Sequence, residues 1–512
     1  MSQEEEMSDD IKSSFGVELE FLIAVRRPGP RMRTPRMFQL SKGWPIEPKP
    51  GSVSSATFVQ NLVQQVIDTA VQGYEGDRVI TKDDELDDVD GNHLKPYTAW
   101  SVGRDLSVRP ISQEKDMNGF LWQDLEIRSP ALFATDESFA EVHYIVTVLY
   151  NNFWIYAPET AGLHIHYGRG KEWIPVHHLR RIAAFLFAAD PILTQMHPSH
   201  RRERGYRDCC PSNRYYSVLA HGISTAQVST NLSLYLDEGH HEEVLAEDSS
   251  GSKPGETGSL DFTTIFKRGT LEGYSFDRRY FTEGNVGWAQ GEYLPGRRVD
   301  KPIDIVTGAR KLLSAPNALV VSALMQNRVH SRSAYNFMAY NPEGYGAVQL
   351  FGITRPPAIQ RKRTIEFRQA AGTVDADEVV AHARIAVRLA EFACEIDMNS
   401  LWRVILELAE SEVDPKWYDI FDLLSDLGLG NEARFIQRQM ARHRGIKIIN
   451  EDLGTFEEPP ASPSSWSKFK SWLSPPPSPI VAQEQPKKPE TKADDSVDPV
   501  ENFRRSIFQL YR

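Results

Sequence analysis

Four short stretches of the chain place ionisable side chains at every second position, with apolar residues between them. The stretches are FGVELEF (15–21), DLEIRSP (124–130), GLHIHYG (162–168) and TIEFRQ (364–369). The residues that define the pattern are Glu18, Glu20, Glu126, Arg128, His164, His166, Glu366 and Arg368. A period of two predicts strands with one buried face, so within each strand the ionisable residues share the opposite face.

The residue types on that face suggest cation binding. A half-solvated antiparallel sheet carries outward polar residues as a matter of course, so any one strand is also consistent with plain surface. Solvated strands mostly carry Lys, Thr, Ser and Gln, whereas these carry carboxylates, imidazoles and guanidiniums. If the strands share one sheet, the carboxylates repel one another unless cations bind among them. Carboxylate oxygens with an occasional imidazole suit Mg²⁺ or Mn²⁺.

Such a metal site with flanking arginines matches the needs of a nucleoside triphosphate. Metal ions neutralise phosphate oxygens, and arginine stabilises charge on a transferring phosphoryl group. The sequence has no G-x-x-x-x-G-K-[ST] loop and no G-x-G-x-x-G opening a helix. Metal ions and arginines on the sheet would therefore have to hold the phosphates.

Helical patterns alternate with these strands, which predicts an α+β fold. Apolar residues recur at helical spacing over 56–71, 137–153, 177–190 and 377–396. We divide the chain by composition into these parts: an acidic tail (1–11), a catalytic domain (12–396) with an inserted polar loop (236–259), a helical extension (397–450), a disordered Pro/Ser-rich linker (451–500) and a short amphipathic helix (501–512).

Bulk composition limits the setting and the partners. The formal charge of −12 and the pI of about 5.7 argue against nucleic acid as a partner. Three cysteines do not make a disulfide framework, and the acidic N-terminus lacks a secretory signal pattern. No apolar run approaches eighteen residues, so we expect no membrane span and a cytoplasmic location.

A resemblance to a known family rests on five motifs. In order, the chain carries FGVELEF, YTAWSVGRDLSV, LEIRSPAL, AGLHIHYG and RTIEFRQAAGT. This series, from about residue 15 to 396, resembles that of the amidoligase family in the glutamine synthetase and glutamate–cysteine ligase superfamily. The resemblance implies a curved antiparallel sheet with helices on its outer side, and ATP with metals on its concave face.

The resemblance also implies roles for single residues. One metal would be held by Glu18, His164 and Glu366, and the other by Glu20 and Glu126. Arg368 would contact nucleotide phosphate during catalysis, with Gln369 beside it at the cofactor. Asp105 would orient the incoming amine.

The basic stretch 197–216 is a weaker signal. It contains HPSHRRERGYRDCCPSNRYY, which is typical either of a solvated loop or of an anion-binding loop. Under the second interpretation Arg214 is the leading candidate to bind a substrate carboxylate or phosphate.

The predicted function is an ATP-dependent carboxylate–amine ligase. The implied reaction activates a carboxylate as an acyl phosphate, which an amine of a small molecule, peptide or protein attacks to give an amide or isopeptide. One alternative is a metal-dependent hydrolase that uses the same face to activate water. Another is an inactive nucleotide-binding protein, because Ala370 and Ala371 stand where the family often has His and an acidic residue.

Overall fold

The computed structural model describes fourteen segments of the chain. They are residues 12–27, 43–47, 56–72, 77–80, 97–110, 120–202, 210–222, 224–225, 301–326, 333–340, 363–414, 417–443, 448–450 and 455–456. The predicted acidic tail (1–11), inserted loop (236–259) and terminal helix (501–512) lie outside these residues. The predicted linker (451–500) does too, apart from 455–456.

An open antiparallel sheet of eight strands is the centre of the described structure. Its strands are β1 (Ser14–Arg26), β2 (Ser101–Gly103), β3 (Phe120–Arg128), β4 (Leu132–Phe133), β5 (Ile155–Tyr156), β6 (Gly162–Gly168), β7 (Tyr335–Asn336) and β8 (Ile365–Ala371). The order is β2-β3-β1-β6-β8-β7, and the short β4 and β5 also pair with β1. Two further strands, β9 (Ile448–Asn450) and β10 (Thr455–Phe456), pair with each other.

Helices occupy each stretch where helical spacing predicts them. They are α1 (Ala56–Val71), α2 (Asp136–Asn152), α3 (Val176–Leu193), α4 (Ser199–Arg202), α5 (Asn213–Tyr216), α6 (Ile305–Leu313), α7 (Ala318–Met325), α8 (Ala376–Glu395), α9 (Met398–Val413), α10 (Ile420–Asp426) and α11 (Gly430–His443). With the antiparallel sheet, these helices confirm the α+β class. None of the helices in the described segments is long and apolar enough to cross a membrane.

Local capping residues determine where two of the sheet-covering helices begin. Thr135 precedes α2 and its side chain accepts a hydrogen bond from the Ser138 amide. Asp375 precedes α8 and accepts from the amides of Asp377 and Glu378. Each cap satisfies amides that the first helical turn leaves without a partner. The caps therefore define where the chain turns from the strands into the covering helices.

The two faces of the sheet differ in chemistry. On β1, Leu19 and Phe21 are buried, and Phe15 stacks on Phe139 of α2 with ring centroids 4.5 Å apart. Helix α8 packs against β1 and β6 from the same side. Because side chains alternate along a strand, Glu18 and Glu20 point to the opposite face. Apolar burial under the helices therefore determines which face the carboxylates occupy.

The helices after residue 397 pack onto the same body. Helix α9 contacts α3 and α6, and α11 contacts α8. Arg214 of α5 joins α9 to this body: its Nε and Nη2 donate to the two Glu412 carboxylate oxygens at 2.9 and 2.8 Å. Its Nη1 donates to the Ile303 carbonyl at 2.6 Å, and its side chain is fully buried. The prediction that Arg214 binds a substrate anion is therefore wrong, because this guanidinium is buried in an ion pair between helices.

We expect Glu412→Gln to lower the free energy of unfolding by about 2 kcal/mol, because it leaves the buried Arg214 charge without its counter-ion. Urea unfolding followed by circular dichroism measures this difference. Glu410→Gln, a change at an exposed residue of the same helix, is the matched control and should stay within about 0.5 kcal/mol of wild type. Equal stability of the two variants would show that the Arg214–Glu412 pair does not stabilise the fold.

Candidate active site

The sheet face that bears Glu18 and Glu20 is called the polar face below, and the imidazole of His164 lies at its centre. Its Nδ1 is 3.4 Å from Glu18 Oε2, 3.5 Å from Glu20 Oε1 and 3.8 Å from Glu366 Oε1. The strand order explains this convergence, since β6 lies between β1 and β8. Glu18 is directly opposite His164 in the β1–β6 pairing and opposite Arg128 in the β1–β3 pairing.

Two groups of candidate metal ligands lie on this face. Glu18, His164 and Glu366 each offer a ligand atom, and the three atoms lie within 4.8 Å of one another. Glu20, Asp105 and Glu126 form a second group by the same measure. The structure thus brings together the five residues predicted to bind metal. It adds Asp105, for which the resemblance implied contact with an amine.

A β-bulge in β8 separates Arg368 from Gln369. Leu163 pairs with Ala370, but Ile165 pairs with Phe367, so both Arg368 and Gln369 stand opposite His164. The Gln369 amide donates to Thr194 Oγ1 at 2.9 Å, at the end of α3 on the helix-covered side. The prediction that Gln369 contacts the cofactor is therefore wrong, because its side chain points away from the polar face.

Burial and neighbouring charge change the pKa values of two groups at the centre. Burial, and then the charge of Asp105, raise the pKa of Glu20 to about 8, although the Gly162 amide donates to its Oε2 at 2.6 Å. Burial and the positive charge of Arg368 lower the pKa of His164 to about 4. His164 is therefore neutral at pH 7, the form in which an imidazole nitrogen coordinates a metal.

Arginines on the same face partly neutralise the carboxylates. Arg368 forms a salt bridge with Glu366, and Arg128 forms one with Glu126. Burial acts to raise the pKa of Glu366, but Arg368 and then His166 outweigh it and hold that pKa below its ordinary value. The Asn336 side-chain amide also donates to Glu366 at 2.8 Å. Glu366 is consequently ionised and fixed in place before any ligand arrives.

Sequence reasoning gave His166 no role, although the H-x-H spacing placed it on this face. Its Nε2 lies 3.1 Å from Glu18 Oε1, yet this buried atom makes no hydrogen bond within the described segments. Its Nδ1 lies 3.1 Å from Thr364 Oγ1, which orients the ring. A buried nitrogen facing a carboxylate without a hydrogen bond is suited to a shared cation.

Arg201 is a second residue that sequence reasoning missed. It is buried, and it donates to the carbonyls of Arg368 at 2.7 Å and Gln369 at 3.2 Å, which holds the bulge in β8. A Cβ at Gly162 would come within 2.7 Å of His164 Nε2 and 3.1 Å of Arg201 Nη2, so a glycine fits between them. The basic stretch 197–216 does supply an arginine to this region, but it is Arg201 and not Arg214.

Comparison with known proteins gives a family match over residues that contain strands β1 to β6. Residues 12–220 match the family model described as "Putative amidoligase enzyme". Over these residues, which are less than half of the chain, the chain is similar to this family. No curated protein and no solved structure matches the chain. The matched segment contains Glu18, Glu20, Asp105, Glu126 and His164, whereas β8 lies beyond it and joins the site through its pairing with β6.

The donor set of the two ligand groups fits hard divalent cations. The ligand atoms are carboxylate oxygens with one imidazole nitrogen in the first group, and carboxylate oxygens alone in the second. Oxygen donors with an occasional nitrogen are what Mg²⁺ and Mn²⁺ prefer, whereas structural zinc sites mostly use thiolates. The site residues that hold Mg²⁺ or Mn²⁺ would be Glu18, His164 and Glu366 for one ion, and Glu20, Asp105 and Glu126 for the other.

The raised pKa of Glu20 predicts how the metal-free protein responds to pH. Between pH 6.5 and 8 the folded chain keeps a proton on Glu20 (folded pKa about 8, ordinary value 4.5) that the unfolded chain has lost. Stability should therefore fall as pH rises through this window, by about 2 kcal/mol. The lowered pKa of His164 acts in the opposite direction, but only between about 4 and 6.5.

Urea unfolding in EDTA at pH 6.5 and pH 8 measures this slope. We expect Glu20→Gln to be clearly flatter than wild type, because glutamine carries no titrating proton. Glu137→Gln, at an exposed position of α2, should keep the wild-type slope. An unchanged slope in Glu20→Gln would mean that Glu20 is not a buried protonated carboxyl in the metal-free protein.

Proposed function

We propose that this protein is an ATP-dependent carboxylate–amine ligase that requires Mg²⁺ or Mn²⁺. The reaction would convert a substrate carboxylate to an acyl phosphate with ATP, and an amine would then displace the phosphate to form an amide or isopeptide bond. The observation that carries the proposal is the pair of ligand groups on one sheet face, within and next to a segment that matches the amidoligase family model.

Different residues of the site would bind the cations and the phosphates. Bound divalent cations would supply charge neutralisation for the triphosphate and orient its γ-phosphoryl group. Arg368 and Arg128 would donate to phosphate oxygens, since a guanidinium fork can bridge two oxygens of one phosphate. Arg128 is the more accessible of the two, with 33% of its side chain exposed against 12% for Arg368. Arg128 is therefore the better placed to change partner when a nucleotide arrives.

Burial strengthens each of these interactions. Glu18, Glu20 and His164 are each at most 5% exposed, so their charges and dipoles act in a medium of low dielectric constant. The fixed neighbours of Glu366 hold one ligand in position beforehand. Such preorganisation is what electrostatic stabilisation of phosphoryl transfer requires.

The two alanines after Gln369 face opposite sides of the sheet. Ala370 pairs with Leu163, whose side chain is buried under the helices, so position 370 does not face the ligands. Ala371 pairs with Gly162 and faces the same side as His164. Of the two, only the alanine at 371 therefore removes a side chain from the polar face. We therefore expect the protein to be active, with the attacking amine losing its proton to a group other than residue 370.

Metal binding should stabilise the folded protein, and this stabilisation should depend on Glu18. A divalent ion at a hundred times its dissociation constant adds about 2.7 kcal/mol to the free energy of unfolding. We expect Mn²⁺ to raise the melting temperature of wild type and of Glu137→Gln by several degrees. Glu18→Gln should show little or no rise. An equal rise in Glu18→Gln would remove this residue from the metal site.

Turnover can be tested before either substrate is identified. Full-length protein is incubated with Mg²⁺, ATP and a metabolite or peptide extract, and the products are analysed by mass spectrometry. The ligase proposal expects ADP together with a new species lighter by one water than the sum of two inputs. Glu18→Gln should form at least a hundredfold less. Cleavage products formed without ATP would favour the hydrolase. ATP binding without any new species would favour the inactive alternative.

A further inference from the structure

A cavity of about 430 Å³ opens beside the polar face, at the end of β8. Ala371 and Gly372 form one wall, and the segment from Tyr156 to Glu159, which follows β5, forms another. Helix α4 and the residues before it supply a third wall. This volume is in the range of sites for small molecules.

The cavity is linked to the second ligand group through two short contacts. Ala371 stands directly opposite Gly162 in the β6–β8 pairing, and the Gly162 amide donates to Glu20 at 2.6 Å. The Gly372 amide donates to the Ala161 carbonyl at 2.9 Å, which fixes the same corner. One strand residue therefore lies between the cavity wall and the carboxylate of Glu20.

The walls of the cavity carry charges of both signs. Carboxylates come from Glu159 and from Glu378 in the first turn of α8, where Thr373 Oγ1 donates to Glu378 at 2.8 Å. The basic residues His200 and Arg202 come from α4. Two carboxylates disfavour a triphosphate in this space, and the phosphates have Arg128 and Arg368 on the polar face instead. A zwitterion matches the lining better than a nucleotide or an apolar molecule does.

We propose that this cavity binds the amine substrate, and that this substrate is an amino acid or short peptide with a free ammonium and a free carboxylate. The ammonium would contact Glu159 and Glu378, and the carboxylate would contact Arg202. This inference rests on the proposed ligase function, but binding in the cavity can be measured by itself.

Isothermal titration calorimetry tests the ligand class. The full-length protein, with Mg²⁺ and a non-hydrolysable ATP analogue, is titrated with the twenty L-amino acids and a set of dipeptides. The best binder is then compared with its methyl ester, which lacks the carboxylate charge, and with its N-acetyl derivative, which lacks the ammonium. Both derivatives should bind about tenfold more weakly or worse, because each leaves one wall without its partner.

Variants then assign each ligand group to its wall. Glu159→Gln should weaken the amino acid about tenfold and leave the N-acetyl derivative unaffected. Arg202→Gln should weaken the amino acid and leave the methyl ester unaffected. Glu159 and Arg202 are exposed, so both variants should have the melting temperature of wild type. Glu172→Gln, at an exposed position near β6, is the matched control. Wild-type affinities in both variants, or tightest binding by the N-acetyl derivative, would overturn the proposal.

Separate titration with the nucleotide analogue distinguishes the two ways of failing. If the analogue binds with Mg²⁺ and no amino acid or dipeptide binds, the cavity proposal is overturned and the ligase proposal stands. If an amino acid binds with the expected variant effects but the nucleotide does not, the cavity proposal stands and the ATP-dependent function fails.

Discussion

Repulsion among buried carboxylates is the interaction on which the site depends. Glu18, Glu20, Glu126 and Glu366 are buried on one sheet face, with Asp105 beside them. A buried carboxylate elsewhere in the described segments shows the contrast: Glu141 is fully buried, but it accepts two hydrogen bonds from Arg78 and one from Trp100. Among the described residues of the two ligand groups, five carboxylates lie beside the positive charges of Arg128, Arg201 and Arg368. Burial, and then the charge of Asp105, raise the pKa of Glu20 to about 8, and a proton there removes one buried negative charge. A bound divalent cation would relieve the repulsion without a proton.

The rest of the fold explains how such a face can persist. Strand β1 is thirteen residues long and pairs with β3 on one side and β6 on the other. Glu18 is paired in both ladders, and Glu20 is paired with Glu126 in the β1–β3 ladder. The apolar side chains between them are buried under α2 and α8, and their burial offsets the electrostatic cost at about 25 cal/mol per Å². Arg201 then fixes the bulge in β8, after which Ala371 rather than Ala370 lies on the face of the carboxylates. Apolar packing on one face of the sheet thus stabilises a fold in which carboxylates repel one another on the other face.

Much of this arrangement follows from the sequence, and the exceptions have physical causes. Period-two spacing placed Glu18, His164 and Glu366 on strand faces, and helical spacing located the four main helices to within three residues. Gln369 was expected at the cofactor through the family resemblance alone, although period two already places it with Phe367 on the helix-covered face. The bulge in β8, which no residue pattern marked, places Ala370 on that face as well. Arg214 was preferred over Arg201 because the chemistry of two arginines in one basic stretch is identical until tertiary packing separates them. The position of Asp105 depends on a loop after β2, and loops do not follow a fixed period.

Anomalous scattering from crystals grown with Mn²⁺ and an ATP analogue would show whether cations bind among these carboxylates. We expect two manganese peaks on the polar face, one among Glu18, His164 and Glu366 and the other among Glu20, Asp105 and Glu126. We also expect that Arg368 and Arg128 then donate to phosphate oxygens. Crystals that contain the nucleotide but show no manganese at either group would contradict the account, because the repelling carboxylates would then serve no bound cation.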